Sequence, residues 1–166
     1  MSISDTIPSA EDFHTEFKRD VRSGDLERKV VAFLNSPDGG RIFIGVADDG
    51  TCIGVKDFDA AQCQIKDRIR DNICPSCLGL FDVRLITAER VSDPIIRVDV
   101  AHGLEGPYYL RKNGRSPAGC FVRIGSAGKS YMECAMQSTG LNVTLFVVQE
   151  IPTWQPDQLL QLTPLL

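Results

Sequence analysis

Long apolar runs are absent from this chain of 166 residues; none approaches the roughly 18 residues that a membrane-spanning helix needs. The opening stretch MSISDTIPSA lacks the basic start, apolar centre and small-residue cleavage site of a secretory signal. Both absences point to the cytoplasm, where thiols stay reduced. Histidine is scarce: His14 and His102 are the only two, and they are not spaced as a metal-binding pair. Cys74-Pro75-Ser76-Cys77 is therefore a lone CxxC without the second ligand pair of a structural zinc site. No strand leads directly into it, which sets aside a thioredoxin-like redox motif. The other cysteines (Cys52, Cys63, Cys120 and Cys134) sit mostly inside expected elements, where cysteine acts as a small hydrophobe. A phosphate-binding loop is also missing, since Gly128-Lys129-Ser130 has no glycine at the required upstream position. Finally, there is no excess of positive charge; the net is −4. A protein basic all over is excluded, but a local basic face is not.

What is present suits one folded domain with a real core. Thr15-Glu16-Phe17-Lys18 alternates as a short strand with Phe17 inward. Asp25 is placed to cap a helix whose apolar stripe is Leu26, Val30, Phe33 and Leu34. Asn35-Ser36-Pro37-Asp38-Gly39-Gly40 stops that helix and turns the chain. Residues 41–47 are nearly all apolar and β-branched or aromatic, the pattern of a strand covered on both faces. Asp48-Asp49-Gly50 then predicts a hairpin turn, with residues 52–55 as the returning strand.

Further on, Asp59 and Gln62 form a capping box, with Phe58 stapled to Cys63, for a helix striped by Ile65, Ile69 and Ile73 and ended before Pro75. Residues 81–91 and 95–100 read as two strands. Residues 107–110 and 119–124 read as a strand pair joined by a basic loop, and residues 129–138 as a last short helix. Residues 141–151 form an apolar, β-branched run suited to an extra strand, a packing arm or a dimer contact. This order predicts an α+β fold: a mixed, mostly antiparallel sheet flanked by two to three helices. The domain is expected over residues 11–138, with residues 139–166 as a C-terminal extension.

Glu11, Glu16 and the pair Asp48/Asp49 are the acidic positions that stand out. Glu11 and Glu16 are five apart, so on one strand they would point to opposite faces, and a turn must separate them to bring both to one site. Lys18, two residues from Glu16, faces the same way and either pairs with it or meets a phosphate.

The string TEFK, the helix ending AFLNSPDGG, the run RIFIGVADDGTCIGV and, later, GPYYLRKNGRSPAGCFVRIGS follow one another in the order of a known family. Over residues 11–130 the chain resembles the AlbA-like domain of Schlafen proteins and their bacterial relatives. The resemblance implies a nucleic-acid-binding domain. In some members it is also an endoribonuclease, notably against transfer RNA, supported by a divalent metal; many bacterial relatives are described as transcriptional regulators. The family's acidic site has two glutamates separated by four residues and an aspartate at the end of the strand after the Gly-Gly turn. Glu11 and Glu16 match the first two, and Asp48 matches the third with Asp49 as its rival.

Such a trio of carboxylates suits Mg²⁺ or Mn²⁺. Lys18, Arg19, Arg111, Lys112, Arg115, Arg123 and Lys129 are the expected contacts to RNA, or to DNA. Tyr108, Tyr109 and Phe121 are available for base stacking or for the core. Relatives with two lobes clamp RNA between them, so a single lobe of this kind implies a homodimer, with residues 141–151 as its contact. After Ser130 the chain departs from the family, which there carries a helix with acidic residues.

Overall fold

A computed structural model describes residues 7–88, 91–116 and 118–123, together with the backbone of residues 131–139 and 142–149. The described elements are β1 (Thr15–Lys18), α1 (Leu26–Leu34), β2 (Gly40–Ile44), α2 (Phe58–Asn72), β3 (Ile73–Cys74), β4 (Phe81–Ile86), β5 (Ile95–Val100), β6 (Tyr109–Leu110), β7 (Phe121–Arg123), β8 (Tyr131–Thr139) and β9 (Asn142–Gln149). The fold is α+β. Its main sheet has the order β1-β2-β5-β4, with β1 and β2 parallel and the remaining pairs antiparallel.

The apolar run of β2 follows from its interior place in this sheet. Ile42 and Ile44 join the main core beneath α1 and α2. Phe43 points the other way, into a smaller cluster with Phe17, Val46, Ile86 and Ile95. Alternation alone would have left one of these faces wet; burial on both explains why Ile42, Phe43 and Ile44 are all apolar, with Arg41 exposed at the start of the strand. The helices supply Leu26, Val30, Phe33 and Leu34 from α1 and Ala61, Ile65 and Ile69 from α2.

The turn between α1 and β2 is set by two glycines. Gly39 has φ +63°, and a Cβ on it would lie 2.2 Å from the Val100 carbonyl oxygen. A Cβ on Gly40 would lie 2.1 Å from the Phe33 ring.

Several local expectations are corrected. Residues 52–55 do not return as a strand: a single bridge joins Val46 to Cys52, and Ile53 and Gly54 both donate to the Gly45 carbonyl, at 2.7 and 3.0 Å. Gly45, at φ +94°, has left extended geometry and ends β2 there. Asp25 occupies the N-cap position of α1 but makes no capping bond; its carboxylate is taken by Lys18 and Ser23 instead. The N-cap position of α2 is Asp57, not Asp59, and no side chain caps it.

The two segments read as one strand pair belong to different sheets: β6 pairs with β3 and β7 with β8. Between them sits Asn35. Its amide donates to the carbonyls of Tyr108 (2.9 Å) and Phe121 (2.8 Å), and its oxygen accepts from Tyr108 N–H at 2.8 Å. One side chain thus stands in for the expected ladder. The predicted helix at residues 129–138 is instead β8, paired along its length with β9. The β-branched composition of β9 favours a strand, and pairing with it overrides the helical propensity of the β8 sequence.

Replacing Gly39 by Ala is expected to cost about 1–3 kcal/mol, from the left-handed φ and the carbonyl clash. Gly24→Ala, whose Cβ would meet nothing within 4 Å, should stay within about 0.5 kcal/mol of the parent. Urea midpoints of the two variants check both.

Candidate functional site

Strand alternation decides where Glu16 goes. It is in register with Ile42 across the parallel β1–β2 pair, so it faces the same side as Ile42, beneath α1. Glu16 is 0 % exposed. Its Oε1 lies 2.8 Å from Lys29 Nζ and 3.0 Å from Lys18 Nζ, and its Oε2 lies 3.0 Å from Arg123 Nη1. Lys18 also reaches Asp25 at 3.0 Å. Arg123 donates from Nη2 to the carbonyls of Asp12 (2.6 Å) and Thr15 (3.1 Å), and its backbone N–H reaches Ser36 Oγ at 3.1 Å. Its guanidinium carbon sits 5.0 Å from the centre of the Phe33 ring.

The electrostatics of this cluster are uneven. Burial raises the Glu16 carboxyl, but hydrogen bonding and charge from Lys29 and Lys18 outweigh it and hold Glu16 below its ordinary value. Burial dominates at Lys29, which falls to about 8 despite its bond to Glu16. The partners move differently because Glu16 is surrounded by cations, while Lys29 shares Glu16 with Lys18, whose charge opposes it, and has Asp25 only at 3.9 Å. At Lys18, burial is outweighed by Asp25 and Glu16, and its value is raised.

The other expected acids are dispersed. Glu11 Oε1 accepts the Phe17 N–H at 2.8 Å, capping a donor on β1, an edge strand of the main sheet. Asp48 and Asp49 are exposed in the turn after Ala47. Asp49 accepts the Thr51 N–H at 2.9 Å, and the Thr51 backbone hydrogen bond holds it below the usual carboxylate range. Among the described residues, no three histidine, cysteine or acidic side chains are grouped to hold a metal ion. Glu11, Glu16 and Asp48 therefore do not fit a shared Mg²⁺ or Mn²⁺ here, and Glu16 has both oxygens on cations.

The expected nucleic-acid contacts divide. Arg123, 4 % exposed, is corrected to a core residue holding Glu16, and Lys18 is largely committed to Glu16 and Asp25. Arg111, Lys112 and Arg115 are exposed on the loop after β6. Arg111 Nε donates to the Asp71 carbonyl at 2.8 Å, and Arg115 lies 5.7 Å from the Tyr109 ring centre. Arg19 is exposed and lines a groove of about 450 Å³ with Arg22 and Lys56. Lys129 lies outside the described residues. Tyr108 and Phe121 are core residues; Tyr109 is half-buried.

Two residues central to this region went unnoticed in the sequence. Lys29 falls at i+3 from Leu26, on the buried stripe of α1; a lysine there demands a buried carboxylate, and that was the available signal. Arg28 lines a groove of about 420 Å³ beside the basic loop; nothing in its spacing marks it.

An α+β domain with a basic loop beside its helices is the class that fold and surface define. The model of the Schlafen, AlbA_2 family matches residues 11–132. The chain belongs to that family, and the membership points to a nucleic-acid-related function. No curated protein matches it. Among solved structures it is similar to the DIP2311 protein from Corynebacterium diphtheriae, with 18 % identity and a TM-score of 0.43. That match covers 70 % of this chain and 22 % of the other, so this chain spans less than a quarter of that protein, and the likeness carries no functional argument. No helix among the described residues is long and apolar enough to cross a membrane.

Removing Glu16 leaves buried cations uncompensated. Glu16→Ala should therefore cost about 3–5 kcal/mol in urea unfolding at neutral pH. Because its folded value is depressed, the stabilisation is present above the unfolded value and is lost as pH falls through the folded one. Lys29 runs in the opposite sense. Its folded value near 8 lies below its ordinary 10.5, so the cost of burying its charge is complete below pH 8 and is relieved as pH rises to 10.5. Relative to Lys29→Met, the parent should gain stability across that window, a trend that urea titrations at each pH would show.

Proposed function

We propose that this chain is a cytoplasmic nucleic-acid-binding domain that holds the phosphate backbone on the loop after β6. The observation that supports it is the grouping of Arg111, Lys112 and Arg115, all exposed, on one loop of a chain whose net charge is −4. Contacts of this kind give affinity without base choice, so RNA and DNA both qualify. A homodimer would set two such loops on one ligand and raise avidity.

The competing reading is a metal-dependent endoribonuclease acting on transfer RNA. The Glu11–Glu16 spacing favours it, while the engagement of Glu16 by Lys18, Lys29 and Arg123 counts against it.

Both readings are tested with purified protein and labelled transfer RNA. Binding measured across salt should weaken linearly on a log–log plot, and each cation lost from Arg111→Ala, Lys112→Ala and Arg115→Ala should reduce the slope by about 0.7–0.9. Salt-insensitive binding, or none at low salt, would overturn the proposal. Cleavage that needs Mg²⁺ or Mn²⁺ and disappears in a folded Asp48→Ala variant would establish the nuclease instead.

A further inference from the structure

The basic loop borders a groove of about 420 Å³ between the start of α1, the end of α2 and the loop residues Lys112, Asn113 and Ala118. Its size falls within the range of small-molecule sites. One wall is fixed from within. Arg68 forks onto Glu27 at 2.7 and 2.6 Å and donates to the Ser23 carbonyl at 3.0 Å. Asn72 donates to the same glutamate at 3.3 Å. This network ties α1 to α2, so the groove is formed before any ligand arrives.

The rest of the lining has the chemistry of a nucleotide. Three cations, Arg28, Arg68 and Lys112, face one carboxylate, Glu27, which leaves the groove net positive. Arg28 rests with its guanidinium carbon 4.4 Å from the centre of the buried Phe121 ring, and a guanidinium braced in this way is a flat surface on which a base stacks. Asn113 is exposed and its carboxamide makes no hydrogen bond among the described residues. A carboxamide both donates and accepts, as the edge of a base requires.

We infer that this groove seats one nucleotide of a single strand, its base against Arg28 and Asn113 and its phosphate on Lys112. The inference rests on the nucleic-acid reading and narrows it to a ligand with unstacked bases. A duplex keeps its bases paired and offers the groove only backbone, whereas a single strand can turn a base inward.

Gly24 provides a test that leaves the charges alone. It lines the groove, and a Cβ on it meets nothing within 4 Å, so Gly24→Phe starts from open space at the groove wall, and an unchanged urea midpoint checks that the core is intact. The probes are a short labelled single-stranded RNA, its DNA counterpart and the matching duplexes, each followed by fluorescence anisotropy. The parent should prefer either single strand over its duplex by about tenfold, the worth of one stacked base. Gly24→Phe and, as a milder second variant, Asn113→Ala should each abolish that preference while duplex affinity and its salt slope stay unchanged. A nucleoside, which brings the base without a phosphate for Lys112, should compete with the single strand and not with the duplex.

Equal affinity for strand and duplex, unmoved by either variant, overturns the groove and leaves the backbone reading standing. Absence of binding to every probe overturns both. The RNA and DNA arms separate a need for the 2′-hydroxyl from recognition of the base alone.

Discussion

A carboxylate buried beneath a helix is the constraint on which the rest of this structure depends. Glu16 has no route to solvent, and an isolated charge there would be untenable. Its three cations come from three places in the chain: Lys18 from β1 itself, Lys29 from α1 and Arg123 from β7. Each bond therefore fixes one element against another. The Arg123 link closes a separation of 107 residues and holds β7, which pairs with β8, against the first strand of the main sheet. An apolar trio in these positions would pack as well and fix less, because hydrophobic contact has no direction while a forked guanidinium does. The depressed value of Lys29 shows the cost of this arrangement: burial opposes the charge even with the carboxylate at 2.8 Å.

The sequence made the periodic elements legible and left the exceptions hidden. Phe17 inward, the stripe of α1 and the doubly covered run of β2 all follow from spacing, and the structure has each of them. The Gly-Gly turn follows from chemistry, since a side chain at either position would strike the Val100 carbonyl or the Phe33 ring. Three of the errors share a cause: a side chain or a neighbouring strand takes over the bond that the local pattern assigns elsewhere. Asn35 replaces the ladder between β6 and β7, β9 draws β8 into a strand, and Lys18 takes Asp25 away from its helix. None of these is written in the apolar periodicity: Asn35 reaches partners 73 and 86 residues away, while Lys18 is only seven residues from Asp25 but on another element. The acidic residues were visible as residues but not as to role. Spacing placed Glu16 and Lys18 on one face, but only the register with Ile42 shows that this face is the core.

Charge on the surface is sorted, and the sorting bears on function more than the total does. The groove of about 740 Å³ at one end of the sheet is bordered by Asp12, Asp38, Asp82 and Asp99, with Arg41 as its one lysine or arginine among the described residues. A separate face carries Arg111, Lys112 and Arg115 with Arg28 and Arg68 close by. On an acidic protein sorted in this way, a polyanion would meet repulsion at the acidic groove and attraction at the basic loop. Such a field orients the encounter as well as strengthening it, provided the ionic strength leaves the loop's field unscreened over its own dimensions.

The pair Glu11 and Glu16 shows why a motif has to be traced to its atoms. Five residues apart, they suit a catalytic constellation, and they suit equally what the structure displays. The chain turns between them through the Asp12–Thr15 bridge, which returns the Glu11 carboxylate to the Phe17 N–H and sends Glu16 inward. One glutamate closes an edge-strand donor that would otherwise invite pairing with another chain; the other anchors the core. Both demands belong to the fold, so the spacing is accounted for before any chemistry is invoked. A cation could recruit Glu16 only by displacing Lys18, Lys29 or Arg123 and leaving that group buried without its counter-charge, a cost of the same kind as deleting the glutamate. Asp48 and Asp49 are exposed in the turn after β2, with Asp49 accepting the Thr51 N–H. Metal binding in that turn would leave the Glu16 cluster intact, whereas metal binding at Glu16 would not.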